Sequence, residues 1–172
     1  DVQSAPRVVA EEGGAALPTS VSDDPADWDA QFVGDLGPFK PEVSDLTWLV
    51  PSEALPTSVE ALPSNNNVDI NLHAGDMFLA WRTAPTHFAD PDSKMPVIRS
   101  GDGGQTWTAE TTVAIGADIR EPRLLAFADR LQLLFFEGGT NPVAFEPQRI
   151  WRVVRQSEGA WSAPEIVFDR PE

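Results

Sequence analysis

The chain has 172 residues, no cysteine and a formal net charge of -15. The missing cysteine excludes disulfides, cysteine-ligated zinc and thiol nucleophiles. The negative balance excludes the basic footprint that nucleic acid or an anionic membrane surface requires. No apolar run approaches the ~20 residues that cross a bilayer, so no membrane span is expected. The chain opens on Asp1 rather than Met, so a processed or excised piece is expected.

Residues 1–64 read as an acidic, Pro-rich arm. They hold 12 acids against two bases, Arg7 and Lys40, and sustain no helical or strand period. The hexapeptide Ala-Leu-Pro-Thr-Ser-Val occurs twice, at 16–21 and 54–59. Such a repeat is either a docking segment or a linker of limited alphabet. Trp28, Phe32, Phe39, Trp48 and Leu49 are too apolar for a fully solvated tail, so parts of the arm are expected to pack on the folded region.

From residue 65 the texture becomes short β-rich runs between turn signals. Val68–Leu72 alternates, Gly75-Asp76 marks a turn, and Met77–Trp81 reads as a buried strand. Pro96–Ser100 and Thr108–Val113 follow, joined through Gly101-Asp102-Gly103-Gly104. A second set comprises Arg123–Phe127, Leu131–Phe136, Ile150–Gln156 and Glu165–Phe168. The two sets superimpose at a spacing of about 54 residues: Val68-Asp69-Ile70 on Pro122-Arg123-Leu124, and Trp107 on Trp161. Four antiparallel strands per unit is the plan of a propeller blade. The expected fold is therefore all-β: an acidic arm over 1–64, then about two blades over 65–172. A two-sheet sandwich is the alternative.

Ser100-Gly101-Asp102-Gly103-Gly104-Gln105-Thr106-Trp107 matches the Asp-box, Ser-x-Asp-x-Gly-x-Thr-Trp, at every defining position. Its glycines permit the positive φ of a tight turn, and its Asp can accept from turn amides. Ser157–Trp161 is a decayed copy without the Asp. On these residues the chain resembles the sialidase (neuraminidase) superfamily. The resemblance implies a structural role for Ser100, Asp102, Gly104, Thr106 and Trp107, on the rim away from the ligand. It also implies that Arg82 matches the arginine ending the second strand, near substrate, and that Asp90 or Asp92 matches the acid/base aspartate. The opening arginine of the family's carboxylate-binding set is missing, and Asn65-Asn66-Asn67 stands there. Arg120, Glu121 and Arg123 open the second unit and align with inner strands facing a central opening.

Arginines that fork onto carboxylates suit acidic sugars, so Arg82, Arg120 and Arg123 are the candidate ligand-binding residues. Asp90, Asp92 and Glu121 are the candidate catalytic carboxylates. Inter-blade ion pairing, Arg120 or Arg123 with Glu121 or Asp69, is the structural alternative. The sequence contains no tyrosine, and the resemblance implies a tyrosine nucleophile, so the chain alone cannot run that mechanism. No metal site or cofactor is expected. Trp81, Trp151, Trp161, Phe135 and Phe136 form either blade core or a sugar-stacking platform. The reading is thus a glycan-facing, non-catalytic propeller segment. A glycoside hydrolase completed by further blades, or an interaction protein using its arm, are the alternatives. Two blades leave open edges, so self-association or missing blades are expected. The resemblance and composition imply a secreted or periplasmic location.

Overall fold

The computed structural model describes residues 47–141 and 146–169. Trp28, Phe32, Phe39 and the first hexapeptide lie outside them. All regular structure among the described residues is strand. Strands β1 (Ser64–His73), β2 (Asp76–Ala84), β3 (Met95–Ser100) and β4 (Thr108–Val113) form one sheet in that order. Strands β5 (Ile119–Ala126), β6 (Leu131–Glu137), β7 (Arg149–Ser157) and β8 (Ala160–Trp161) form a second, and β9 (Glu165–Asp169) pairs with β7. Every pairing is antiparallel between neighbours in the order given. The fold is all-β, two propeller-type meanders laid face to face.

The strands form where the sequence alternates. Val68, Ile70 and Leu72 share one face of β1, while Asp69 and Asn71 share the other. Ala74 (φ 53) and Gly75 (φ 91) close the β1–β2 hairpin with two left-handed residues, the twist-matched solution for a two-residue turn. The fourth strand of the second sheet departs from expectation. It splits into β8, two residues on the Arg155–Ser157 stretch of β7, and β9 on its Arg149–Arg152 stretch.

The main core lies between the two sheets. The first contributes Phe78, Ala80, Met95, Val97 and Val113; the second contributes Ile119, Leu124, Leu131, Leu133, Phe135 and Val153. Each large side chain so buried contributes roughly 1.5–3 kcal/mol. The 54-residue repeat gives this interface a counterpart. Leu79, Trp81 and Trp107 occupy in the first blade the positions of Leu133, Phe135 and Trp161 in the second, but face away from the second sheet. There they pack against Leu49, Val50, Leu55 and Val59. A stretch of irregular chain thus covers part of the first sheet's face turned away from the second. It is pinned by the Leu62 amide on Thr83 Oγ1 (2.7 Å) and by Lys94 on Glu60 (2.7 Å). Leu49 packs as the arm's apolar residues suggest, whereas Trp48 is 75% exposed.

Hairpin connectivity sorts the loops into two ends. The β2–β3 loop, the β4–β5 connection and the β6–β7 loop gather at one end. The β1–β2 turn, the Asp-box, the β5–β6 turn and the β7–β8 turn gather at the other.

Candidate functional site

At the first end, β2 runs out at Arg82. Its side chain has no exposure. Nη2 and Nε donate to Asp118 Oδ1 at 2.7 and 3.3 Å. Nη1 donates to the Thr86 carbonyl at 3.3 Å, and Nη2 also to that of Phe88 at 2.9 Å. Asp118, itself buried, takes Arg120 Nε on its other oxygen at 2.5 Å. Arg82 therefore departs from the expectation of a ligand-facing arginine. Four of its five N–H donors go to Asp118 and to loop carbonyls, and no face of it meets solvent. A buried charge needs such a partner because its desolvation is otherwise uncompensated.

The inner strands of the two blades bring the remaining candidates together. Asn67 and Glu121, 54 residues apart, stand at equivalent places in β1 and β5. Both are left-handed, at φ 49 and 53. Each lies where its strand slips register against the next, between Asn66 and Val68 and between Arg120 and Arg123. The Asn67 amide donates to Glu121 Oε1. Arg123, 57% exposed, donates to Glu121 Oε2 at 3.2 Å, and Arg120 Nη2 donates to the His87 carbonyl at 3.2 Å. Asn66 Nδ2 lies 3.2 Å from His87 Nδ1. A rim of Asn66, Asn67, His87, Arg120, Glu121 and Arg123 results. Asp69, considered as a partner for these arginines, instead accepts from the Leu124 amide at 2.6 Å, and Asn71 donates to the Leu124 carbonyl at 2.7 Å. These two contacts lock the inner strands together.

Asp90 and Asp92 lie in the β2–β3 loop. Asp90 Oδ1 accepts from the Asp92 amide at 2.9 Å, and the Asp90 carbonyl accepts from Ser93 at 3.1 Å, so Asp90 shapes the turn. Asp92 is exposed. A cavity of about 480 Å³ opens beside this loop, with Asp90, Asp118, Glu137, Glu146 and Arg149 in its lining. Glu137 is held there by Arg149 and by the Trp151 indole at 2.9 Å. Among the described residues, no group of three or more His, Asp or Glu is placed to hold a metal ion.

The Asp-box lies at the opposite end. Asp102 Oδ1 accepts from the Gln105 and Thr106 amides and from the Ser100 hydroxyl, and Oδ2 accepts from the Thr106 hydroxyl at 2.6 Å. The bond from the Thr106 hydroxyl, then its amide and the Ser100 hydroxyl, hold the carboxyl at about 2. Gly103 and Gly104 take φ 73 and 90, and the Trp107 indole caps the Gly104 carbonyl. Beside it stands a residue that the sequence did not single out. Glu110 in β4 accepts both Nε and Nη2 of Arg155 (2.9 and 3.0 Å), the Trp161 indole and the Gly159 amide (both 3.2 Å), with Arg99 Nε at 3.0 Å. Burial pushes its carboxyl upward, but the Arg155 and Trp161 bonds outweigh that and hold it below the usual range. Arg99 is held above its ordinary value, first by its bond to Asp76. A lone Glu in a Thr-rich strand gives no sequence signal of this.

Four of the five aromatic candidates are packing residues, and the fifth, Phe136, is half-buried and lines a shallow groove with Ile150 and Phe168. Trp81 and Phe135 are buried in the two cores, and Trp151 and Trp161 pack against the larger one. No known protein family matches the chain, and no curated protein sequence is similar to it. Among solved structures, an α-L-arabinofuranosidase, Arb93A from Fusarium graminearum, in complex with an iminosugar inhibitor, has a TM-score of 0.43 and 15% identity over 64% of this chain. The match covers 33% of that enzyme, so the chain spans about a third of its length. Among the described residues no helix is long and apolar enough to cross a membrane.

Proposed function

We propose that this chain is a glycan-facing propeller segment, non-catalytic on its own, with 1–64 as its arm and 65–172 as its blades. Its ligand end is the rim around Glu121. The observation that carries this reading is Glu121 itself. A left-handed backbone at a non-glycine costs on the order of 1–2 kcal/mol, and such residues cluster where geometry serves a ligand. Glu121 keeps that conformation while its carboxylate stands between Asn67 and Arg123. Carboxylate, amide and guanidinium together match the hydroxyls and acids of a sugar. Arg120 and Arg123 meet the ligand in this reading. Arg82 supports them from behind through Asp118, and Asp90 and Asp92 lie in the loop alongside.

The test is an array of acidic and neutral glycans, followed by titration of any hit. Arg123→Ala and Glu121→Gln should each weaken binding about 10–100-fold, the loss of one charged hydrogen bond. An array without hits sinks the reading, as does a hit indifferent to both variants.

A further inference from the structure

The first blade turns an apolar face away from the second, and only part of that face is covered. Leu55 and Val59 of the second hexapeptide seal its outer half against Trp81 and Ile98. A turn closed by the Val59 amide on the Pro56 carbonyl (2.9 Å) sets both side chains on one side. The proline fixes one dihedral of that turn in advance, so little entropy is lost on seating it. The inner half of the face is bare. Val68, Ile70 and Leu72 stand in a row along β1 with 62, 53 and 63% exposure. A groove of about 270 Å³ opens where this row meets the seated segment, with Val50, Val68, Leu79 and Trp81 in its lining. A contiguous apolar strip of this kind marks an interaction site.

The sequence holds the seated hexapeptide a second time, as Ala16–Val21. We propose that the bare strip of the first blade is the docking site for Ala16–Val21 of a second copy of this chain. The seated copy shows that Leu55 and Val59 of this hexapeptide pack on the outer half of the same face, against Trp81 and Ile98, and the bare strip adjoins that contact at Val68. Leu17 and Val21 repeat the spacing of Leu55 and Val59. The contact carries no charge on either side, as two chains of -15 each require if they are to meet. Its strength should therefore rise with salt, which screens the repulsion between copies and has no ion pair here to weaken.

Sedimentation velocity of the full chain over a wide concentration range, at low and moderate salt, tests this. Self-association should appear and strengthen with salt. It should weaken by at least about tenfold in L17D/V21D and likewise in I70E, a substitution at an exposed position, as burial of apolar side chains is lost. Excess synthetic Ala-Leu-Pro-Thr-Ser-Val peptide should dissociate the assembly. A monomer at every concentration and salt overturns the proposal, and so does association indifferent to L17D/V21D or to the peptide. A monomer in which L17D/V21D speeds amide exchange across Val68–Leu72 would assign the hexapeptide to its own chain, and would equally overturn it. None of these readouts involves a glycan.

Discussion

Replacing Glu110 by Ala should separate the two blades at their Asp-box end. The carboxylate side chain is 1% exposed and holds Arg155 through two parallel bonds. Its removal leaves the Arg155 guanidinium, 17% exposed and lying over the Phe78 ring at 5.1 Å, without its anion. It also strands the Trp161 indole and the Gly159 amide. Removing one partner of a buried pair costs about 3–5 kcal/mol, a large share of the stability of a domain this size. Urea denaturation followed by tryptophan fluorescence reads the effect as a lower midpoint. Arg155→Met should recover part of the loss in the double variant, because the stranded charge goes with it. The pH dependence has a definite sign. A carboxyl held below its unfolded value stabilises the fold above that unfolded value and loses the contribution as pH falls through the folded one. The wild type should therefore lose more stability on acidification than Glu110→Ala. A Glu110→Ala protein whose unfolding free energy stays within about 0.5 kcal/mol of wild type, the ordinary scatter of surface substitutions, would refute the clamp.

Further outcomes follow from other contacts. Arg82→Met should destabilise by about 3–5 kcal/mol by leaving Asp118 with Arg120 alone, and R82M/D118L should recover only part of it on chemical denaturation, because Arg120 then loses its anion. Gly138→Ala should cost about 1–3 kcal/mol, since its new Cβ would lie 2.8 Å from an Asp118 oxygen that two arginines hold in place. Asp102→Ala should speed exchange of the Gln105 and Thr106 amides. In the wild type the same protection should persist above about pH 4 and fade toward pH 2, because the carboxyl titrates at about 2 rather than 3.8. Val59→Asp should expose the 47–62 segment to limited proteolysis while the strands resist, because a charge cannot sit against Trp81 and Ile98.

The strands were legible because their signals are local. Alternation in Val68–Leu72, the Gly75 turn and the Asp-box each need only a short window, and eight strands appear where such windows suggest. The repeat went further: it put Asn67 and Glu121 at matching places, and both adopt the same unusual backbone. The site was less legible. Sequence could align Arg82 with a family position, but not reveal that Asp118, 36 residues later, would bury it. Pairings of that range depend on how two sheets pack, which no window of residues records. The same holds for Glu110 and Arg155, 45 residues apart. The split of the last strand into β8 and β9 follows a bulge on β7, again a matter of pairing rather than composition.

The two tight turns near the Asp-box end differ in where their locking carboxylate comes from. The first uses Asp102, within its own loop. The second, at Ser157–Trp161, has no acid placed that way, and its Gly159 amide and Trp161 indole are held by Glu110 of the other sheet. The first hairpin is therefore self-sufficient and can close early, from contacts a few residues apart. The second is complete only after the sheets meet, so its closure must wait on a contact of long sequence separation. The Ser157–Trp161 turn thus takes its lock from the first sheet, whereas the Asp-box turn carries its own.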